Sequence, residues 1–154
     1  MEQKKSGNGE KEEQVKDLVV DSSVVIKWFS DEEDTEKALK IREEFLKGKN
    51  IIAVPDIQIY EIANALRYKK NITMEEVIAY TRSLIDIGMV IVIPTADTIK
   101  SAVEVAFQHD ITIYDAYFIS LAKELNFSFI TADEKLYRKI EKLKFVNLLR
   151  NMRI

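Results

Sequence analysis

From Leu18 onward, short apolar runs alternate with longer stretches of helical periodicity, and this alternation limits the available folds more than any other feature of the chain. The runs 17–20, 51–54, 89–93, 127–131 and 145–149 are short, apolar and mostly rich in Val, Ile or Phe, as strands are. Helical patterns fill the intervals between them. Strands that alternate with helices imply crossover connections, so the expected fold is α/β, with a central, mostly parallel five-stranded sheet flanked by helices. At 154 residues the chain fits one domain with a single hydrophobic core.

Local punctuation supports this division. Gly48 and Gly88 each end a helical pattern just before a strand, where a left-handed residue is wanted. Pro55 and Pro94 each end a strand, where a missing amide donor does least harm. Ser30 with Glu33, and Thr73 with Glu76, have capping-box spacing, which predicts helices starting near Asp31 and Met74. Residues 1–16 contain Lys, Glu, Gln, Ser, Gly and Asn with few hydrophobes, the composition of a flexible polar tail. The folded domain is therefore expected over 17–154. The tail lacks the apolar stretch of a secretory signal and no run is long enough to span a membrane, so the expected location is the cytoplasm.

Composition narrows the chemistry. With no cysteine there is neither a disulfide nor a thiolate nucleophile nor a thiolate zinc site, and the single His109 excludes any centre built on several histidines. Oxygen ligands remain, and these favour Mg²⁺ or Mn²⁺. The net charge of −3 carries no global signal for nucleic acid. Residues 131–154, however, hold seven Lys or Arg against three acids, which makes this end a candidate phosphate-facing surface or equally a solvated helix face. Lys27, Arg67, Lys69 and Lys70 are further candidate phosphate contacts, with surface solubility as their plainer role.

Four carboxylates fall where strand-like runs end or helices begin: Asp21, Glu61, Asp115 and Asp133. In an open α/β sheet, such positions gather beyond the carboxyl ends of the strands. Carboxylates that meet there repel one another, and a cluster of this kind usually holds a hard cation. Each acid also has a purely structural reading. Asp21 and Asp133 are placed to cap the helices that follow them. Glu61 and Asn64 share one flank of a helix beside its buried stripe of Ile59, Ile62, Ala63 and Leu66, as a polar boundary pair would. Asp115 lies on the face that carries Phe118, Ile119 and Ala122, where a carboxylate needs a strong partner or a capping role. Trp28 and Phe29 read as core or partner-groove residues, His109 as structural, and Tyr114 and Tyr117 as ordinary first-turn packing.

Four runs in chain order carry a family resemblance: Val20-Asp21-Ser22-Ser23, Tyr60-Glu61-Ile62-Ala63-Asn64-Ala65-Leu66, Ile113-Tyr114-Asp115-Ala116-Tyr117 and Ile130-Thr131-Ala132-Asp133. Together they resemble the PIN-domain nucleases, and in particular the VapC-type toxins of toxin–antitoxin pairs, over roughly residues 17–150. The resemblance implies a Mg²⁺- or Mn²⁺-dependent ribonuclease in which Asp21 and Asp115 are the firmest metal ligands and Glu61 and Asp133 complete the acidic site. Ser22, Asn64 and Thr131 match polar positions that support such a site. The implied reaction is hydrolysis of an RNA phosphodiester by a metal-activated water.

The same resemblance implies two partners, a second copy of the chain and a VapB-like antitoxin. The antitoxin segment would cover the acidic site and an apolar groove walled by helices around 32–47 and 57–68. Three other readings stand beside this one. A phosphoacceptor receiver-like domain would need paired acids early in the chain and a late Lys, and neither pattern is evident. A catalytically silent PIN-fold scaffold, or an RNA-processing PIN nuclease outside toxin–antitoxin systems, would carry the same acids.

Overall fold

The computed structural model describes residues 16–154. Residues 1–15 of the expected polar tail lie outside the described residues. Five strands form one sheet: β1 (Leu18–Val20), β2 (Ile52–Pro55), β3 (Val90–Val92), β4 (Ser128–Thr131) and β5 (Val146–Leu148). Their order is β3-β2-β1-β4-β5 and every neighbouring pair is parallel, so the five expected strands and their parallel character are both present.

Among the described residues, seven helices cover the sheet. They are α1 (Ser22–Val25, continued by a 3₁₀ turn Ile26–Trp28), α2 (Thr35–Leu46), α3 (Ile57–Arg67), α4 (Met74–Asp86), α5 (Ala96–His109), α6 (Ile113–Leu125) and α7 (Glu134–Ile140). Alternation along the strands builds a core on each face of the sheet. Leu18, Val20, Ile52, Val54 and Ile130 pack with Val24, Trp28, Ile41, Ile62, Leu66 and Leu84 from α1 to α4. Val19, Ala53 and Phe129 point the other way, onto α5, α6 and α7. Helix α6 is buried through seven consecutive residues, Ala116 to Ala122, which is why its sequence is apolar around most of its circumference. Phe118 of α6 meets Phe129 of β4 with ring centroids 6.4 Å apart, and burying each such ring contributes roughly 1.5–3 kcal/mol.

The helix ends largely follow the sequence signals. Thr73 and Glu76 form the expected reciprocal box, with Thr73 Oγ1 accepting from the Glu76 amide at 3.2 Å and Glu76 Oε2 accepting from the Thr73 amide at 2.7 Å. Gly48 and Gly88 take the left-handed backbone expected after α2 and α4, with φ of 73° and 98°. The Ser30–Glu33 signal is overturned: no helix starts near Asp31, and α2 begins at Thr35. The Glu32 amide donates to Thr35 Oγ1 and Ser30 Oγ donates to Glu32 Oε1, while Asp34 adopts a left-handed φ of 61°. The Ser30 hydroxyl is taken by Glu32, the Glu32 amide by Thr35, and the Glu33 carboxylate by Arg150, so the reciprocal box does not form.

Because β1 is central, the chain steps outward through β2 and β3 and then crosses β1 to add β4 and β5. Strand order therefore reverses between β1 and β4. In open α/β sheets the crevice at such a reversal, outside the carboxyl ends of the strands, is where ligands bind.

Candidate active site

At that reversal β1 is followed directly by Asp21 and β4 ends in Thr131, both residues of the predicted site. Asp21 follows β1 directly and caps α1, its Oδ1 accepting from the Ser22 amide at 2.9 Å. Unlike an ordinary cap it is buried, at 6% exposure. Its Oδ2 accepts from Ser23 Oγ at 2.6 Å and from Thr131 Oγ1 at 2.8 Å. Those two hydroxyls in turn accept from backbone amides of the turn after β4, Ser23 from Ala132 at 2.9 Å and Thr131 from Asp133 at 3.1 Å. Asp21 thus ties the β1–α1 turn to the β4–α7 turn. Thr131, which the resemblance marks as a supporting position, is the donor that reaches Asp21 from across the sheet. Ser23 was not singled out; its place next to Ser22 in the first run was the available signal, but only the fold shows which serine faces Asp21.

Helix α3 brings Glu61 to the same turn, where Glu61 Oε1 accepts from Ser22 Oγ at 2.9 Å. Asp115 stands in the first turn of α6, a helix capped by Thr112, whose Oγ1 accepts from the Asp115 amide at 3.1 Å. Asp133 caps α7 through its Oδ1, which accepts from the Lys135 and Leu136 amides at 2.9 and 3.0 Å. Asn64 is exposed and lines a cleft against α4, with Arg67, Met74 and Val77.

The electrostatics bind these acids into one neighbourhood. Burial pushes the Asp21 carboxyl up to about 6 against hydroxyl and amide donors that pull it down, and the Asp115 charge adds to the rise. Burial also raises Glu61, opposed by Ser22, with the charges of Asp21 and Asp115 adding to the effect. Asp115 is raised by burial, opposed by Thr112, and raised further by Asp133. The neighbouring charges that shift these three groups are all carboxylates.

Among the described residues, no three His, Cys, Asp or Glu side chains close on a common point as a coordination shell. Hydroxyls instead hold the Asp21 and Glu61 carboxylates, and backbone amides hold that of Asp133. The donor set nonetheless suits a hard divalent cation by its chemistry, since it is entirely oxygen and its negative charges repel one another.

The basic residues divide into two sets. Lys27 and Lys69 both pair with Glu32, and Arg150 is engaged by Glu33, Asp34 and Glu134. Lys135 and Lys139 line a cleft of about 500 Å³ together with Asp115 and Asp133, so cationic and anionic walls face one opening. Trp28 is core, its Nε1 donating to the Ala38 carbonyl at 2.9 Å, and Phe29 stacks on Tyr80 at 5.2 Å. Tyr117 is buried as first-turn packing, whereas Tyr114 is exposed.

The groove expected between 32–47 and 57–68 is instead divided by α4. One cavity of about 660 Å³ lies between Arg42 and Leu46 of α2 and Ile78 and Arg82 of α4, floored by Trp28 and Phe29. A second, of about 620 Å³, lies between α3 and α4, and Ile78 lines both. The long apolar stripe of α4 requires cover, and α3 supplies it on one side only.

Comparison with known proteins agrees with this geometry. The family described as PIN domain matches residues 18–142. The chain is 27% identical over 130 residues to Ribonuclease VapC3 of Pyrobaculum aerophilum, covering 82% of this chain and 96% of that protein. Its fold resembles that of a toxin–antitoxin complex from Klebsiella pneumoniae, with a TM-score of 0.65, 15% identity and coverage of 86% of this chain and 97% of the other. It also resembles VapBC2 from Rickettsia felis bound to a DNA fragment from its promoter, with a TM-score of 0.60, 14% identity and coverage of 85% and 96%. Taken with the parallel sheet and the acids gathered at its reversal, the match over most of its length shows that this chain belongs to the PIN-domain family.

Proposed function

We propose that this chain is a Mg²⁺- or Mn²⁺-dependent ribonuclease acting as the toxin of a VapBC-type toxin–antitoxin pair. The observation that carries the reading is the neighbourhood of Asp21, Glu61, Asp115 and Asp133, in which burial raises the first three carboxyls and neighbouring carboxylates raise them further. Such an arrangement is costly to the free protein and is relieved by a divalent cation. The similarity to Ribonuclease VapC3 and the toxin–antitoxin context of the structural relatives support the same assignment.

In this reading Asp21, Glu61 and Asp115 would hold the ion and Asp133 would border it. A divalent ion bound there supplies Lewis acidity towards phosphate and acidifies water. The chain's own residues do the rest. Ser23 and Thr131 fix the orientation of the Asp21 carboxylate, and Ser22 that of Glu61. Lys135 and Lys139 flank Asp115 and Asp133 and would position an RNA backbone without reading its sequence. No cysteine or serine nucleophile is needed.

The partners follow from the surface. The cavity between α2 and α4, lined by the exposed Leu46 and Ile78, is the proposed seat of an antitoxin segment. The stripe Ile99, Val103 and Phe107, exposed on α5, is the proposed contact with a second copy. The cytoplasm, where the RNA is, is the proposed place of action.

Cleavage of a mixed, structured RNA pool by antitoxin-free protein tests the assignment. Cleavage should require Mg²⁺ or Mn²⁺, stop with EDTA and vanish in Asp115→Asn. A folded wild-type protein that cleaves nothing under either metal would favour the silent scaffold instead.

A further inference from the structure

We propose that Gln58, a residue outside the acidic set, is a positioning residue that fixes the separation between Asp21 and Glu61; the role rests on the nuclease reading above. The argument begins with a missing donor. In the parallel ladder Leu18 faces Ile52 and Val19 faces Ala53, and the Leu18 amide donates to the Ile51 carbonyl at 2.9 Å. Continued in that register, the amide of residue 55 would donate to the Val20 carbonyl. Residue 55 is proline and has no N–H.

Gln58 fills the vacancy from the first turn of α3. Its Nε2 donates to the Val20 carbonyl at 2.6 Å, and its side chain is fully buried. The reverse orientation of the amide would set two oxygens against each other, so the carbonyl dictates which way it points. Gln58 Oε1 has no hydrogen-bond partner among the described residues. A buried amide left half-satisfied is unfavourable for the fold, and an apolar residue would match Ile62 and Leu66 on the same stripe. The bond to Val20 is what the amide gives in return.

That bond acts on the peptide unit that leads into Asp21. Its carbonyl is held by Gln58 and its N–H, that of Asp21, donates to the Ile130 carbonyl at 2.9 Å. One helical turn after Gln58, Glu61 accepts from Ser22 Oγ on the far side of Asp21. Helix α3 therefore grips the β1–α1 turn at two points, one before and one after Asp21, and the two grips come from residues at i and i+3 of one helix. With Gln58 gone, α3 and its Glu61 are free to shift against Asp21.

The test uses the full chain, Mn²⁺ as the probe and the free-Mn²⁺ signal in electron paramagnetic resonance as the readout, with amide hydrogen exchange at Asp21 as a readout independent of metal. Gln58→Met should fold, lose about 10- to 100-fold in Mn²⁺ affinity, as is typical when a residue that orients a metal ligand is removed, and exchange faster at Asp21. Pro55→Ala combined with Gln58→Met returns a backbone donor to the Val20 carbonyl, and it should recover most of both losses. Unchanged affinity and exchange in Gln58→Met would overturn the proposal. So would losses that the double variant does not recover, because they would trace to packing at position 58. If the wild type binds no Mn²⁺ the nuclease reading fails by itself, and exchange at Asp21 still decides whether Gln58 holds the turn.

Discussion

The turn after β1 and the turn after β4 share one local pattern, a strand, an aspartate and a helix capped by that aspartate, yet the fold treats the two carboxylates differently. Asp133 is exposed and satisfied by two amides of its own helix. Asp21 is buried, has one such amide, and depends on hydroxyls from Ser23 and from Thr131, the latter across the sheet. Capping is a complete account of the first and an incomplete account of the second. Both β1 and β4 have a strand on each side, so the difference lies in the side chains around each carboxylate: Ser23 and Thr131 enclose that of Asp21, whereas Asp133 meets only the first amides of its own helix.

The largest effect expected from this contrast is on cleavage. Asp21→Asn should abolish RNA hydrolysis while the fold persists, whereas Asp133→Asn should leave measurable activity, since its carboxylate is already committed to α7. Equal loss in both, measured on one RNA under one metal concentration, would erase the distinction.

Stability should move the opposite way. The Asp21 carboxyl binds its proton more tightly folded than unfolded, so its contribution is full below about pH 3.8 and is lost as pH rises through about 6. A rise from 3.8 to about 6 corresponds to about 3 kcal/mol against the folded state at neutral pH, as an upper bound. Asp21→Asn should therefore raise the denaturation midpoint in EDTA at pH 7.5 and change little at pH 4. A drop at pH 7.5 would show that the ionised carboxylate is a net stabiliser.

Two smaller effects sharpen the comparison. Thr131→Val removes the donor to Asp21 and the acceptor of the Asp133 amide, and urea unfolding should register a loss of about 1–3 kcal/mol. Asp133→Ala removes only a cap and should cost about 1 kcal/mol, recovered by Asp133→Ser. A cost for Asp133→Ala that exceeds that of Thr131→Val would place the structural weight at the wrong turn.

Much of this was readable in the chain. All five strands were, because short apolar runs between helical periods leave few alternatives, and Gly48 and Gly88 marked their helix ends by a conformation other residues resist. The ends of α5 and α6 were not, since Asp110 and Asn126 take the left-handed conformation there without glycine. The Ser30–Glu33 spacing misled because Thr35, Lys27 and Lys69 compete for the same loop, and that competition is tertiary. The groove misled likewise, since nothing in periodicity says that α4 lies between two cavities.

The chain alone was enough for the α/β class and its strands, because periodicity, capping and turn chemistry act between near neighbours, and it singled out four acids as candidates. Only the tertiary structure decided which aspartate is buried, which serine holds it, and that a glutamine donates where Pro55 cannot. Burial and hydrogen-bond partnership depend on residues such as Asp21 and Thr131, 110 positions apart, and their proximity exists only once the sheet is assembled.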